Sequence, residues 1–164
     1  MKLNSFHIQS KPNWFFLLVI ALVFPIVYFH LFSAGFIAWD DPEYVINNKD
    51  VHQFSIKRFF TTFYIGNYHP ITMLSYALDW RFFGKEAFGY HFENLLWHFL
   101  NTTLVFYLGK NIGLKSLQSF FLAFVFAFHP LQIESVAWVA ERKNLLYASF
   151  FLASILFYFE YHNK

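Results

Sequence analysis

An all-α polytopic membrane protein with about four transmembrane helices is the fold class this sequence predicts, and three observations predict it. Of its 164 residues, 57% are hydrophobic and only 13% are charged, about half the charged share of an ordinary soluble domain. From Trp14 to Phe32 there is no acid or base except His30, and as a helix that run is about as long as the hydrocarbon core is thick. Further apolar runs then alternate with short polar breaks at Lys110–Lys115, His129-Pro130 and Glu141-Arg142-Lys143. The composition also excludes. A formal charge of +2 without a basic cluster gives no footprint for nucleic acid. With no cysteine there is no disulfide, thiol nucleophile or Cys-ligated metal.

The chain reads as a single membrane domain, 1–164. Residues 1–13 form a short basic cytoplasmic tail. The first transmembrane helix covers 14–34, with Pro25 as a kink point. It is longer than a signal-peptide core of about 7–15 residues and reads as retained. A long first external loop, 35–88, carries short helices. In the first, Ser55 can cap a segment where Ile56, Phe59, Phe60 and Phe63 recur at helical spacing opposite Lys57 and Arg58, an amphipathic helix fit for the membrane interface. Gly66-Asn67 breaks it. The next starts at Pro70 and is ended by Gly84, with Thr72, Ser75 and Asp79 in one narrow polar stripe.

The second transmembrane helix, 89–110, carries His91, Asn94, His98 and Asn101 on one seam, spaced three, four, three. In lipid such a seam faces other helices as packing glue or lines a ligand cavity. The third, 116–128, stops at His129-Pro130. A second external loop, 129–143, contains a short helix from Leu131 to Ala140, and the fourth transmembrane helix covers 144–161. Four spans put both termini in the cytoplasm with Lys2, Lys11, Lys110, Lys115 and Lys164. The opposite side holds more basic residues, mostly in a long loop where the positive-inside rule is weak.

Asp40, Asp41, Glu134 and Glu141 then share the external face with His129, Arg142 and Lys143. Two adjacent carboxylates in a cleft need a proton, a cation or a metal, and can serve as acid or base. Equally, Asp41 before Pro42 is the signature of a helix start, with Asp as N-cap and Pro first in the helix. The nearest cations expected to share that surface are Arg142 and Lys143, so Asp40 or Asp41, Glu134 and Arg142 are expected around one cleft.

Four motifs occur in order: Trp39-Asp40-Asp41-Pro42-Glu43-Tyr44-Val45, Gly66-Asn67-Tyr68-His69-Pro70-Ile71-Thr72, Gly89-Tyr90-His91-Phe92-Glu93-Asn94, and Phe128-His129-Pro130-Leu131-Gln132-Ile133-Glu134 running on to Glu141-Arg142-Lys143. From about residue 14 to the end, the chain resembles the N-terminal membrane part of the O-mannosyltransferase-like proteins that carry tetratricopeptide repeats, members of the GT-C class of polytopic glycosyltransferases. The resemblance implies an inverting enzyme that moves a sugar from a polyprenyl-phosphate donor to a protein or glycan acceptor, among membrane lipids. It assigns the acid of the first external loop, Asp40 or Asp41, as base on the acceptor or as metal holder, and Glu134 as the acid of the second. Arg142 and Lys143 neutralise the leaving phosphate. His69 and His129 are further substrate-binding candidates, or simply stops before helices in His-Pro pairs. A divalent metal, if used, falls to Asp41 and Glu134.

The resemblance places the protein in a bacterial inner membrane as a multi-pass protein with its active face outside. One departure stands out. Relatives of this class continue with more spans and with repeats of about 34 residues, whereas this chain holds four spans and no such repeat. The expectation is a segment of a longer gene or a short reading frame, inactive on its own. The alternatives are a non-catalytic membrane subunit or relic of the same class, and an ion-coupled transporter segment, which would account for the intramembrane histidines.

Overall fold

The computed structural model describes residues 12–162. The basic tail through Lys11 and the terminal Lys164 lie outside the described residues. The described chain is all helical, with a single isolated bridge between Tyr64 and Asn67 in place of any strand. Helix α1 is Asn13–Val27, α2 Lys49–His52, α3 Ile56–Phe59 and α4 Pro70–Phe83. Helix α5 is Ala87–Asn111, α6 Ser116–Phe128, α7 Ile133–Ala137 and α8 Arg142–His162.

Two apolar cores form. In one, α1, α5, α6 and α8 bury residues such as Ile20, Phe24, Phe106, Ala123 and Leu145. In the other, the 36–83 region folds over α5 and the start of α8 around Tyr44, Phe59, Met73, Tyr76, Tyr90 and Val139. The α5 seam joins the elements. Asn94 Nδ2 donates to Val136 O at 3.2 Å, His98 Nε2 meets Ala127 O at 2.9 Å, and Asn101 Nδ2 donates to Leu145 O at 2.9 Å. His91 Nε2 lies 3.3 Å from Gly35 O. Each seam residue holds a different segment, so the seam is packing glue. Close approach of α5 to α6 needs a small residue: a Cβ on Gly109 would lie 2.9 Å from Ser119 Oγ.

Several expected elements differ. The first helix ends at Val27, not at 34, with Pro25 inside it and a 3-10 turn Phe29–Ser33 beyond. It breaks where Tyr28 swings its hydroxyl onto Ala127 O of α6 at 2.6 Å. The amphipathic helix expected through Phe63 is only the single turn α3, and Ser55 makes no side-chain cap. The cause is packing, because Phe59 is buried while Ile56, Phe60 and Phe63 stay exposed. Those four side chains do not share one face. The helix expected over 131–140 is broken into a 3-10 turn Pro130–Gln132, α7 and a 3-10 turn Val139–Glu141. Trp138 between the last two is extended, with φ −88° and ψ 117°, and its carbonyl lies 3.4 Å from Asn94 Nδ2. Helix α4, by contrast, starts at Pro70 and is stopped after Phe83 by Gly84, where φ is +56°.

Among the described residues, one continuous helical stretch, Val139–His162, is long and apolar enough to cross a membrane. The pair Ser116–Phe128 and Pro130–Ala137, bent by 51°, would make a second as a broken span. Helix α1 is apolar but has 15 residues, about 22 Å at 1.5 Å per residue, less than the hydrocarbon thickness. Helix α5 has the length, at 25 residues, but its polar seam dilutes its apolar character.

Candidate functional site

The acidic pair of the first motif divides into two different residues. Asp41 is fully buried. Its Oδ2 accepts from Ile37 N and its Oδ1 from Ala140 N, both at 2.8 Å. Its side chain therefore ties the 37–41 turn to the 138–141 segment, and makes no cap on the short helical turn it precedes. Burial pushes its carboxyl pKa up, opposed by the two amides and by the nearby His91. Asp40 is half-buried and carries no side-chain hydrogen bond or ion pair among the described residues. Trp39 stacks on Trp138 with ring centroids 5.7 Å apart. Asp40 is thus held between two anchored neighbours, beside the Trp138–Glu141 segment, with its own oxygens free.

At the end of that segment, Lys143 Nζ sits 2.5 Å from Glu141 Oε1 and 3.3 Å from Ala140 O. Both side chains are mostly buried, at 28% and 13% exposure. His69 packs edge-on against Tyr44, with ring centroids 5.0 Å apart. Its Nδ1 is buried without a hydrogen-bond partner. Burial first, and the Lys143 cation second, lower its pKa to about 4. It is therefore a neutral imidazole at neutral pH. Lys143 thus joins Glu141 and His69, while Asp40 is tied to the same segment only through its neighbours, Trp39 on Trp138 and Asp41 on Ala140.

Arg142 is elsewhere. It is fully buried, and every nitrogen is engaged. Nε donates to Asn94 Oδ1 at 2.7 Å, Nη1 to Ser75 Oγ at 3.1 Å and Nη2 to Tyr90 O at 3.0 Å. Nη1 also pairs with Asp79 Oδ2 at 2.6 Å and Glu93 Oε2 at 3.2 Å. The Tyr76 ring covers the guanidinium at 4.8 Å. Two carboxylates around one cation in a dry site favour one retained proton. Burial, and then the hydrogen bond with Glu93, raise the Asp79 carboxyl pKa well above the carboxylate range. Arg142 is a buried pin for the loop with no group turned to a ligand.

Glu134 and His129 are not brought to this face. Glu134 is exposed on α7 without a side-chain partner among the described residues. Exposed His129 accepts from Leu131 N through Nδ1 at 3.2 Å, capping its own turn. Among the described residues no three His, Cys, Asp or Glu side chains gather to hold a metal ion. Asp41 is fully buried with each oxygen already accepting a backbone N–H, while Glu134 is exposed on α7, so the two do not form one ligand set. A divalent metal on Asp41 and Glu134 does not fit this arrangement. Sequence reasoning missed Glu141 as Lys143's partner, and Asp79 and Glu93 as Arg142's. The signal was there in Asp79: an acid in the polar stripe of an otherwise apolar helix needs a buried cation.

No family model matches the chain, and no solved structure matches it. Curated proteins do. It is 28% identical over 142 residues to protein O-mannosyl-transferase TMTC3 of Homo sapiens, covering 80% of this chain and 15% of that protein. It is 29% identical over 172 aligned positions to human protein O-mannosyl-transferase TMTC4, covering 90% and 23%. To a Caenorhabditis elegans protein O-mannosyl-transferase, F38B6.6, it is 29% identical over 139 residues, covering 75% and 20%. The chain spans less than a quarter of the length of these relatives. All three are animal proteins and give no support to a bacterial inner membrane. Across most of its length the chain is TMTC-like, related in sequence to proteins named for protein O-mannosyl transfer.

Proposed function

We propose that this chain forms part of a multi-pass membrane glycosyltransferase of GT-C type, which moves a sugar, mannose by its relatives' names, from a polyprenyl-phosphate donor to a protein or glycan acceptor at the external face. The half-buried carboxylate of Asp40, free of side-chain partners among the described residues and held at the Trp138–Glu141 segment by its neighbours Trp39 and Asp41, carries the reading; Lys143 and neutral His69 belong to the adjoining stretch. The acceptor hydroxyl oxygen attacks the sugar's C1 and gives its proton to Asp40. The bond from C1 to the lipid phosphate breaks, and the phosphate takes the electron pair. Lys143, paired with Glu141, is the cation placed to meet that charge, because Arg142 is enclosed. Asp41 acts by holding the loop. An apolar cavity of about 230 Å³ between α1 and α5, lined by Phe24, Phe32, Phe92 and Leu96 among others, suits a prenyl chain.

The multi-pass reading takes α1, α5, α6 with its bent continuation, and α8 as the spans. Its support is the outward apolar surface. Only 17% of the most apolar window in Val139–His162 is buried, unlike the core helix of a soluble protein. Transfer of labelled mannose from polyprenyl-phosphate mannose to acceptor peptide, in membranes carrying the protein, tests the assignment. Asp40→Asn is expected to lower transfer at least about 10²-fold with insertion intact, and Glu134→Gln to leave it near normal. Near-normal transfer by Asp40→Asn would remove Asp40 from the chemistry.

A further inference from the structure

The 36–83 region carries an apolar surface that neither core uses. Ile56, Phe60, Phe63, Ile65, Tyr68 and Ile71 are each between 43% and 68% exposed. They crowd around the tight turn at Tyr64–Asn67, closed by two reciprocal backbone hydrogen bonds of 2.9 Å. The two central residues of such a turn have positive φ, which favours Asn or Gly at both. Here Ile65 has φ +48° and Gly66 +74°. A β-branched residue in that conformation is strained, and this one turns its side chain outward. The underside is firmly tied, with Phe59 fully buried and Asn67 Nδ2 donating to Tyr44 Oη at 3.1 Å. The exposed apolar tip is therefore a fixed feature of the fold.

We propose that this turn and its apolar neighbours are a lipid-docking surface that inserts shallowly into the headgroup region of a phospholipid bilayer. The inference rests on the membrane placement above. Two observations choose lipid as the occupant. First, the tip is continuous with surface read as lipid-facing. From Ile71 the exposed residues of α4 continue as Leu78 and Phe82, on one stripe. A groove between α4 and α5 then leads on to Phe92, Leu96 and Leu100. An apolar strip thus runs from the tip along α5, bordered in the groove by buried Asp79 and by Glu93, both paired with Arg142. Second, the rim has interface chemistry. Tyr68 is half-exposed with its hydroxyl on Phe60 O at 3.1 Å. Exposed Lys57 makes no ion pair among the described residues. An apolar body with a rim tyrosine and a lysine without an ion pair matches the acyl–headgroup boundary.

The chain has no cysteine, so single labels report one place each. The full chain in phosphatidylcholine vesicles, labelled at Ile65→Cys, Gln53→Cys or Leu96→Cys, is quenched by lipids brominated near the headgroup end of their chains and, separately, by aqueous iodide. The label at Ile65→Cys is expected to be quenched by bromolipid at least about twofold more than that at exposed Gln53→Cys, and less by iodide. In a second background, Ile65→Asn relieves the backbone strain and removes the apolar tip, so lipid quenching of a label at Phe63→Cys should fall while folding is kept. Iodide quenching at position 65 equal to that at 53, with position 96 quenched by lipid, overturns the inference alone. Shielding of position 65 from both quenchers overturns it in favour of a protein partner or a second copy. Absence of lipid quenching at position 96 overturns the membrane placement and the inference with it.

Discussion

Arg142 and Asp41 show how a polar residue near a site can be structural. Arg142 meets five protein groups and no solvent. Removing one member of a buried charge cluster leaves the others unpaired, at about 3–5 kcal/mol. Arg142→Ala is thus expected to lower thermal stability in detergent strongly, and Arg142→Lys to fail as a rescue, because one ammonium cannot reach Asn94, Ser75 and Tyr90 together. Near-normal melting of Arg142→Ala with lost transfer would instead return Arg142 to the phosphate. His69 gives a pH dependence with a definite sign. Its pKa is lowered to about 4 from an ordinary 6.5. Between those values the unfolded chain takes up a proton that the folded chain refuses. Stability from this group is therefore full above about 6.5 and lost as pH falls toward about 4. The slope of melting temperature against pH over that window should flatten in His69→Gln relative to wild type.

At the scale of elements, the α4–α5 corner depends on one missing methyl. A Cβ on Gly89 would fall 2.1 Å from Phe83 Cγ, so the first turn of α5 lies directly against the end of α4. Gly89→Ala must displace a half-buried ring, and overpacking of this kind costs about 1–3 kcal/mol. The melting temperature should fall, with partial recovery in the Gly89→Ala, Phe83→Leu double variant. That corner also sets Asp79 opposite Glu93, so the loss should be accompanied by a weaker hold on the 136–142 segment. Faster hydrogen exchange at Ala140, whose amide is tied to Asp41, would report it.

For the whole molecule, the proposed arrangement is four crossings with the 35–88 segment and the Trp138–Lys143 face outside. Reporter fusions check it: one at Asn48 should report the exterior and one at Gly113 the cytoplasm, and the reverse pattern removes the external site. Much of the fold was legible in sequence because its signals are local. The α6 limits, the Pro70 start and Gly84 stop of α4, and the polar seam of α5 follow from apolar periodicity and from breakers within a few residues of each boundary. Short segments were misread where long-range contacts overrode periodicity, as at α3, where burial of Phe59 alone split an apparent apolar face. The site was legible only as a set of candidates. Sequence by itself determined the all-helical class and named the candidate acids, histidines and two adjacent cations. Tertiary structure alone decided their duties: Asp41 bonds an amide 99 residues away, and Arg142 reaches Ser75 67 residues back. Desolvation and pairing over such separations fix whether a charge becomes a pin or stays open to a ligand, and no local pattern encodes them.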